Sequence, residues 1–203
     1  MKFSEYIPLA MRTCKELPAI KHANHMAMGV VGEIGEVIDA LKKHYIYDKP
    51  LDRANLAEEI GDAFWYVAGM VKMLDIAEDS DCLSNPASEN LKTLEAKAHV
   101  TLTSLAINAI CAELALSFQL AIIEMVSSDD YFEQGAARFD AMDAAVGIHQ
   151  ELTNLAYLLD VNLEDAFDTN IKKLAKRYGD KYSDFNAINR DLDAERKILE
   201  EGV

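Results

Sequence analysis

Glu33 and Glu36 stand three residues apart, and Glu59 and Asp62 repeat that spacing further along the chain. Residues three apart on a helix share a face, so each pair projects from one side, and two antiparallel helices can bring the pairs together. A lone ExxE is ordinarily a solvated helix face. Here the first pair lies within Met28-Gly29-Val30-Val31-Gly32-Glu33-Ile34-Gly35-Glu36-Val37-Ile38, and the second runs into Ala63-Phe64-Trp65-Tyr66-Val67, so partial burial is expected. Converging carboxylates cannot all stay ionised in a low-dielectric setting without cations, and an all-oxygen donor set favours Mg²⁺ or Mn²⁺. Gly29, Gly32, Gly35 and Gly61 each cost about 1 kcal/mol relative to alanine inside a helix, which points to close packing or to room for a ligand. A carboxylate di-iron bundle would use Glu-x-x-His, and no histidine follows a glutamate at that spacing.

The elements that must position these groups read as helices throughout. Helical spacing recurs, strand-like alternation is hard to find, and only four prolines and nine glycines occur, so the chain is expected to be all-α. The first helix is predicted from Ser4 to Glu16, with Tyr6, Ile7, Met11 and Cys14 on one face and Pro18 at its end. A second runs from about His22 to His44 and carries the first carboxylate pair. Asp52 or Asn55 caps a third, which carries the second pair and lasts to about Ile76. The stretch Glu78 to Pro86 has the composition of a linker. Long helices follow at about Leu91 to Val126 and Tyr131 to Leu159, then one capped by Asn162 and closed at Gly179, then a charged tail from Asp180 to Val203 expected as one exposed helix. A faint internal echo exists: Leu159-Asp160-Val161 ends a helix as Leu74-Asp75-Ile76 does, and Ala112 to Leu116 overlays Gly32 to Glu36. One domain spanning 1–203 is the default reading.

Composition narrows the partners. A formal charge of -15 would repel a phosphate backbone, so nucleic acid is not expected, whereas a free nucleotide can be bridged to carboxylates by divalent cations. Cys14, Cys82 and Cys111 are odd in number and scattered, and read as reduced thiols of a cytoplasmic protein. The N-terminus shows no apolar h-region, and Leu105 to Val126 is interrupted by Asn108, Glu113, Gln119 and Glu124, so a buried bundle helix is expected there and no membrane partner.

The segment from His25 to Glu36, then Lys42-Lys43, then Glu58-Glu59-Ile60-Gly61-Asp62-Ala63-Phe64-Trp65-Tyr66 resembles the MazG-like nucleoside triphosphate pyrophosphohydrolases, relatives of the dimeric dUTPases, whose signature is ExxE, a spacer and ExxD. The likeness resumes at Val161 to Tyr178, where Asn170 to Tyr178 resembles the family's closing helix, and Asn189-Arg190-Asp191 resembles its tail. Each motif alone is weak; both in order, with the glycines and the Trp-Tyr pair, are specific. The departure is the segment from Ala77 to Gln150, an inserted helical hairpin and a candidate degenerate second repeat.

The resemblance implies an all-α bundle, a homo-oligomer (dimer or tetramer), and hydrolysis between the α and β phosphates to give a nucleoside monophosphate and pyrophosphate. It makes Glu33, Glu36, Glu59 and Asp62 the catalytic ligands of Mg²⁺, or Mn²⁺. Lys173 and Arg177, four apart, and Asn170, three before Lys173, can face the phosphates from one side of the closing helix, with Tyr178 beside them. Tyr66 lies four residues after Asp62 and can reach a phosphate or the sugar, while Trp65 reads as core. Asn24 and His25 are candidates for the base or sugar. Base and sugar preference, and the carboxylate that acts as general base, stay open. The alternative is a nucleotide-binding or helical interaction protein that keeps the scaffold without turnover.

Overall fold

The computed structural model describes residues 1–77, 80–84, 86–88, 91 and 97–201. Eight α-helices, and no strand, are found among them: α1 (Phe3–Ala10), α2 (Ala19–Tyr47), α3 (Arg53–Met73), α4 (Lys97–Ser127), α5 (Tyr131–Leu158), α6 (Leu163–Tyr178), α7 (Asp184–Ile188) and α8 (Leu192–Glu201). The all-α expectation is met.

The central element is α3, which packs against α2, α5, α6 and α1. Its run from Ala63 to Val71, except Tyr66, is buried, so it has no free apolar face left to solvate. Asp52 caps its start by accepting from the Asn55 amide. On one flank, α2 and the inserted helices α4 and α5 complete a four-helix arrangement; on the other, α1 and α6 close over the same core. Phe3, Phe64, His149 and Phe167, from α1, α3, α5 and α6, meet there ring to ring.

Several boundaries moved, for local reasons. Helix α1 ends at Ala10 rather than Glu16, because the Ala10 carbonyl and the Thr13 hydroxyl accept from the Trp65 indole, and the chain passes through a 3₁₀ turn into extended backbone at Cys14. Pro18 does not end α1; it is the residue preceding α2, which starts three residues earlier than read. In the linker, Glu78, Asp79 and Asn85 lie outside the described residues, as do Lys92 to Ala96 of the fourth predicted helix. The 3₁₀ turn Asp81–Leu83 within that linker buries Leu83.

The internal echo has a structural counterpart. Helices α3 and α5 both leave through an aspartate in the left-handed region, Asp75 at φ 51° and Asp160 at φ 56°. Each donates its amide three residues back, and the next amide reaches five residues back, to Val71 and Ala156. The tail differs from the expected single exposed helix. It forms α7 and α8, and α8 docks on α6 with Glu195 and Leu199 buried.

Helix α4 is less covered than expected. Ala98–Ser127 is long and apolar enough to cross a membrane by length and composition, and a third of its most apolar window is buried. Ile107, Cys111, Ala115, Phe118 and Ile122 face the core, while Leu102, Leu105, Leu116 and Leu120 remain exposed. Since Phe118 is fully buried, Phe118→Ala is expected to cost about 3–5 kcal/mol, the usual penalty for an emptied aromatic site. Leu120→Ser on the outer face should change stability little. Urea unfolding followed by far-UV circular dichroism checks both, and an inserted hairpin integral to the core requires one cooperative transition.

Candidate active site

Two helices bring the acidic pairs together. Glu33 projects from α2, and Glu59 and Asp62 from α3, and one carboxylate oxygen of each lies within 4.8 Å of the other two. Glu36, one turn beyond Glu33, lines the same cavity but is exposed and stands outside this closest group. The cavity measures about 860 Å³, within the range of small-molecule sites. Glu33 and Glu59 are pushed up to about 7 and about 8, in both cases by burial first. Asp62 adds repulsion at Glu33, and Glu58, Glu33 and Asp62 add it at Glu59. Glu33 and Glu59 also face each other closely enough to share a hydrogen bond once one of them is protonated.

Asp62 is held from behind. Asn170 Nδ2 donates to its Oδ1 at 2.5 Å, and Lys173 Nζ to its Oδ2 at 2.5 Å. Lys173 has no exposed surface and also pairs with Glu58 at 3.2 Å. Burial alone would lower the lysine's pKa, but Asp62 and Glu58 outweigh it, so the ammonium stays charged. Asn170 is oriented in turn by the Tyr6 hydroxyl, which donates to its Oδ1 at 2.8 Å. The structure therefore places Asn170 and Lys173 behind the carboxylates, where they orient Asp62, and not on the cavity wall.

Arg177 and Tyr178 do line the cavity. The Arg177 guanidinium makes a two-pronged pair with Glu195 of α8, at 2.9 and 2.6 Å, and Arg190 meets the same carboxylate at 2.7 Å. Burial pushes the Glu195 carboxyl the other way, yet the two arginines hold it down at about 2. Arg190, from the tail stretch noted in the sequence, also lines the wall, as do Lys15 and Lys21, which the sequence did not single out.

Tyr66, His25 and Trp65 form an edge-to-face cluster, with centroids 5.1 Å apart for Trp65 and Tyr66 and 5.5 Å for His25 and Tyr66. Burial first, then Glu33 and Asp62, raise the Tyr66 phenol, so it stays protonated. Trp65 is buried, as its core assignment requires, and still reaches the wall. Gly29 has a defined purpose: a Cβ there would sit 2.1 Å from the Tyr66 ring, whereas Gly32 and Gly35 have open space. Asn24 and Met28, one helical turn apart on α2, also line it. Glu58 carried a legible signal, being four residues before Asp62 on one helix face. Tyr6 and Glu195 carried none.

Residues 21–82 match the model of the MazG nucleotide pyrophosphohydrolase domain. The chain is also 33% identical to the Gene 37 protein of Mycobacterium phage L5 over 84 residues, covering 39% of this chain and 68% of the phage protein. The chain belongs to the MazG nucleotide pyrophosphohydrolase family. No solved structure matches it significantly. The matched MazG segment carries Glu33, Glu36, Glu59 and Asp62 together with Asn24, His25 and Tyr66, and ends before α4.

The carboxyl shifts set a pH dependence for the chelator-treated protein. With folded-state values near 7 and 8 against an ordinary 4.5, the native state binds more protons than the unfolded chain across that window. Stability then falls as pH rises from about 4.5 to about 8 and levels off above. Thermal melts in EDTA from pH 5 to 8.5 should show the decline, and Glu59→Gln should flatten it.

Proposed function

We propose that this MazG-family protein hydrolyses nucleoside triphosphates to the monophosphate and pyrophosphate, using a divalent cation held by Glu33, Glu59 and Asp62. The observation that carries the reading is the convergence of three carboxylates from two helices on the wall of a cavity that also presents Lys15, Lys21, Arg177 and Arg190. An acidic group beside basic residues suits a polyphosphate bridged by metal ions.

The donor set fits Mg²⁺ or Mn²⁺: all oxygens, with two carboxyls raised by crowding and burial. Glu36, at the exposed edge of the group, would complete the ligand set. Such a cation supplies charge neutralisation for the triphosphate and a more acidic water.

The protein's own groups divide the remaining work. Asp62 has both oxygens engaged, by Asn170 and Lys173, so its orientation is fixed. Proton uptake from the attacking water falls to the ionised form of Glu33 or Glu59, which burial and neighbouring carboxylates make stronger bases than an ordinary carboxylate. Arg177 and Arg190, locked by Glu195, present guanidinium edges to the departing pyrophosphate. The ring cluster of His25, Trp65 and Tyr66 gives the nucleoside an apolar wall.

Asp62→Asn should keep the fold, since shape is conserved, while pyrophosphate release falls by orders of magnitude. Mg²⁺ should raise the melting temperature of the wild type more than that of the variant, because binding to the native state stabilises by mass action. Coupled detection of pyrophosphate and differential scanning fluorimetry measure the two effects. Near-normal turnover with an unchanged Mg²⁺ response would remove Asp62 from the site. Binding of nucleotide without any pyrophosphate release by the wild type would instead support a non-catalytic nucleotide-binding protein.

A further inference from the structure

The inserted helix α4 carries two apolar stripes on opposite sides. Ile107, Cys111, Ala115, Phe118 and Ile122 are buried against its neighbours α2 and α5. On the other side Leu102, Ala106, Ala109, Glu113, Leu116 and Leu120 are all exposed, and their spacing alternates four and three without a break. That is the heptad spacing of a seam between two helices, and no described helix of this chain covers it. The stripe runs about 27 Å along the axis, with Leu105 and Ile110 exposed at its edges. A contiguous apolar strip of this length is rarely left to water and marks an interaction surface.

The stripe is complementary to itself in one arrangement. Set antiparallel about a two-fold axis level with position 111, two copies of α4 bring Leu102 opposite Leu120, Ala106 opposite Leu116 and Ala109 opposite Glu113. Leucine then meets alanine in the middle layers and leucine in the outer ones, an alternation that lets facing helices interlock. Each Glu113 lies beside the short Ala109, which leaves its carboxylate a path to water, and about 6 Å along the axis from its counterpart. A parallel pair would set Glu113 directly against Glu113. Antiparallel helices also align their dipoles favourably.

A bilayer is the other surface that an apolar helix could meet, and the charge around α4 argues against it. Between His99 and Ala137 the chain has no lysine or arginine, while Glu113, Glu124, Asp129 and Asp130 are present. Helices that lie on membranes carry basic flanks, which meet anionic headgroups. We infer that the outer face of α4 is the seam of a homodimer, in which two copies of this chain pack antiparallel through Leu102, Ala106, Ala109, Leu116 and Leu120. The inference is independent of the proposed hydrolysis. Each copy carries a formal charge of -15, so the two bodies repel, and salt that screens the repulsion tightens an apolar seam. An interface built from ion pairs would respond in the opposite sense.

Sedimentation equilibrium on the full chain should give twice the 22.6 kDa chain mass at micromolar concentration, with association tightening as salt is raised. Leu116→Glu sets a charge opposite Ala106 twice per dimer and should weaken association about a hundredfold or more. Leu120→Ser should weaken it about tenfold or more. Both side chains are exposed in the single chain, so its own fold and stability are unchanged, which circular dichroism checks. The register is read by cross-linking. Leu102→Cys protein mixed with Leu120→Cys protein and treated with a short bis-maleimide should join well above either protein alone, the single variants giving the background from Cys14 and Cys82.

A chain that stays monomeric up to about 100 µM in high salt overturns the inference. So does a dimer that neither Leu116→Glu nor Leu120→Ser weakens, since another surface then forms it. Leu102→Cys protein that cross-links to itself as well as to Leu120→Cys protein overturns the antiparallel register. A monomer that floats with phosphatidylcholine–phosphatidylglycerol vesicles, and no longer does so as Leu116→Glu, assigns the stripe to a membrane and overturns the inference as well. Pyrophosphate release measured alongside keeps the two readings apart: its absence bears on the hydrolysis and leaves the seam standing.

Discussion

The crowding of carboxylates at the seam of α2 and α3 is the constraint on which the rest of this structure depends. Glu33, Glu59 and Asp62 converge within 4.8 Å in a partly buried setting, with Glu58 close behind. Left alone, such a group repels itself apart or takes up protons. Two devices oppose that here. Burial and crowding push the Glu33 and Glu59 carboxyls up, so that taking up a proton there removes charge, and the Lys173 ammonium, wholly enclosed, balances Asp62 and Glu58. A buried ion pair of this sort is seldom a source of stability for its own sake, because desolvation offsets most of its attraction. Its value is orientation: Asp62 can face only one way.

That requirement propagates outward. To hold Lys173 and Asn170 against α3, helix α6 packs on it directly, with Asn170 Cβ 3.4 Å from where a side chain at Gly61 would begin. Tyr6 of α1 then orients Asn170, and Phe3, Phe64 and Phe167 fill the space behind. The tail is recruited by a second charge balance, in which Glu195 neutralises Arg177 and Arg190 and draws α8 onto α6. The molecule is thus organised as successive layers of partners, each fixing the side chains of the one inside it.

The inserted α4–α5 hairpin belongs to this scheme on the opposite flank. It covers α2 and α3, ends in the same left-handed aspartate turn as α3, and bonds Gln119 to Asn24 of α2. Its outer face keeps Leu102, Leu105, Leu116 and Leu120 exposed. A helix that is apolar all round gives little directional signal in sequence, since no polar stripe marks the side that faces water.

By itself the sequence determined the elements and the chemistry of the centre. Two acidic pairs at a three-residue spacing inside apolar, glycine-bearing helices place carboxylates on single faces, and the long helices, the Asp52 and Asn162 caps and the Gly179 exit are local consequences of composition and spacing. Tertiary structure decided which neighbours those groups acquired. Asn170 and Lys173 share a face with Arg177, and spacing treats all three alike, but only the docking of α6 on α3 sends the first two behind Asp62 and leaves Arg177 on the cavity wall. Trp65, through its bonds to Ala10 and Thr13, ended α1 six residues before its local pattern did. Tyr6 and Asn170 are 164 residues apart, and Gln119 and Asn24 are 95 apart. Helix periodicity describes contacts within about four residues, so such pairings exist only once whole helices have packed.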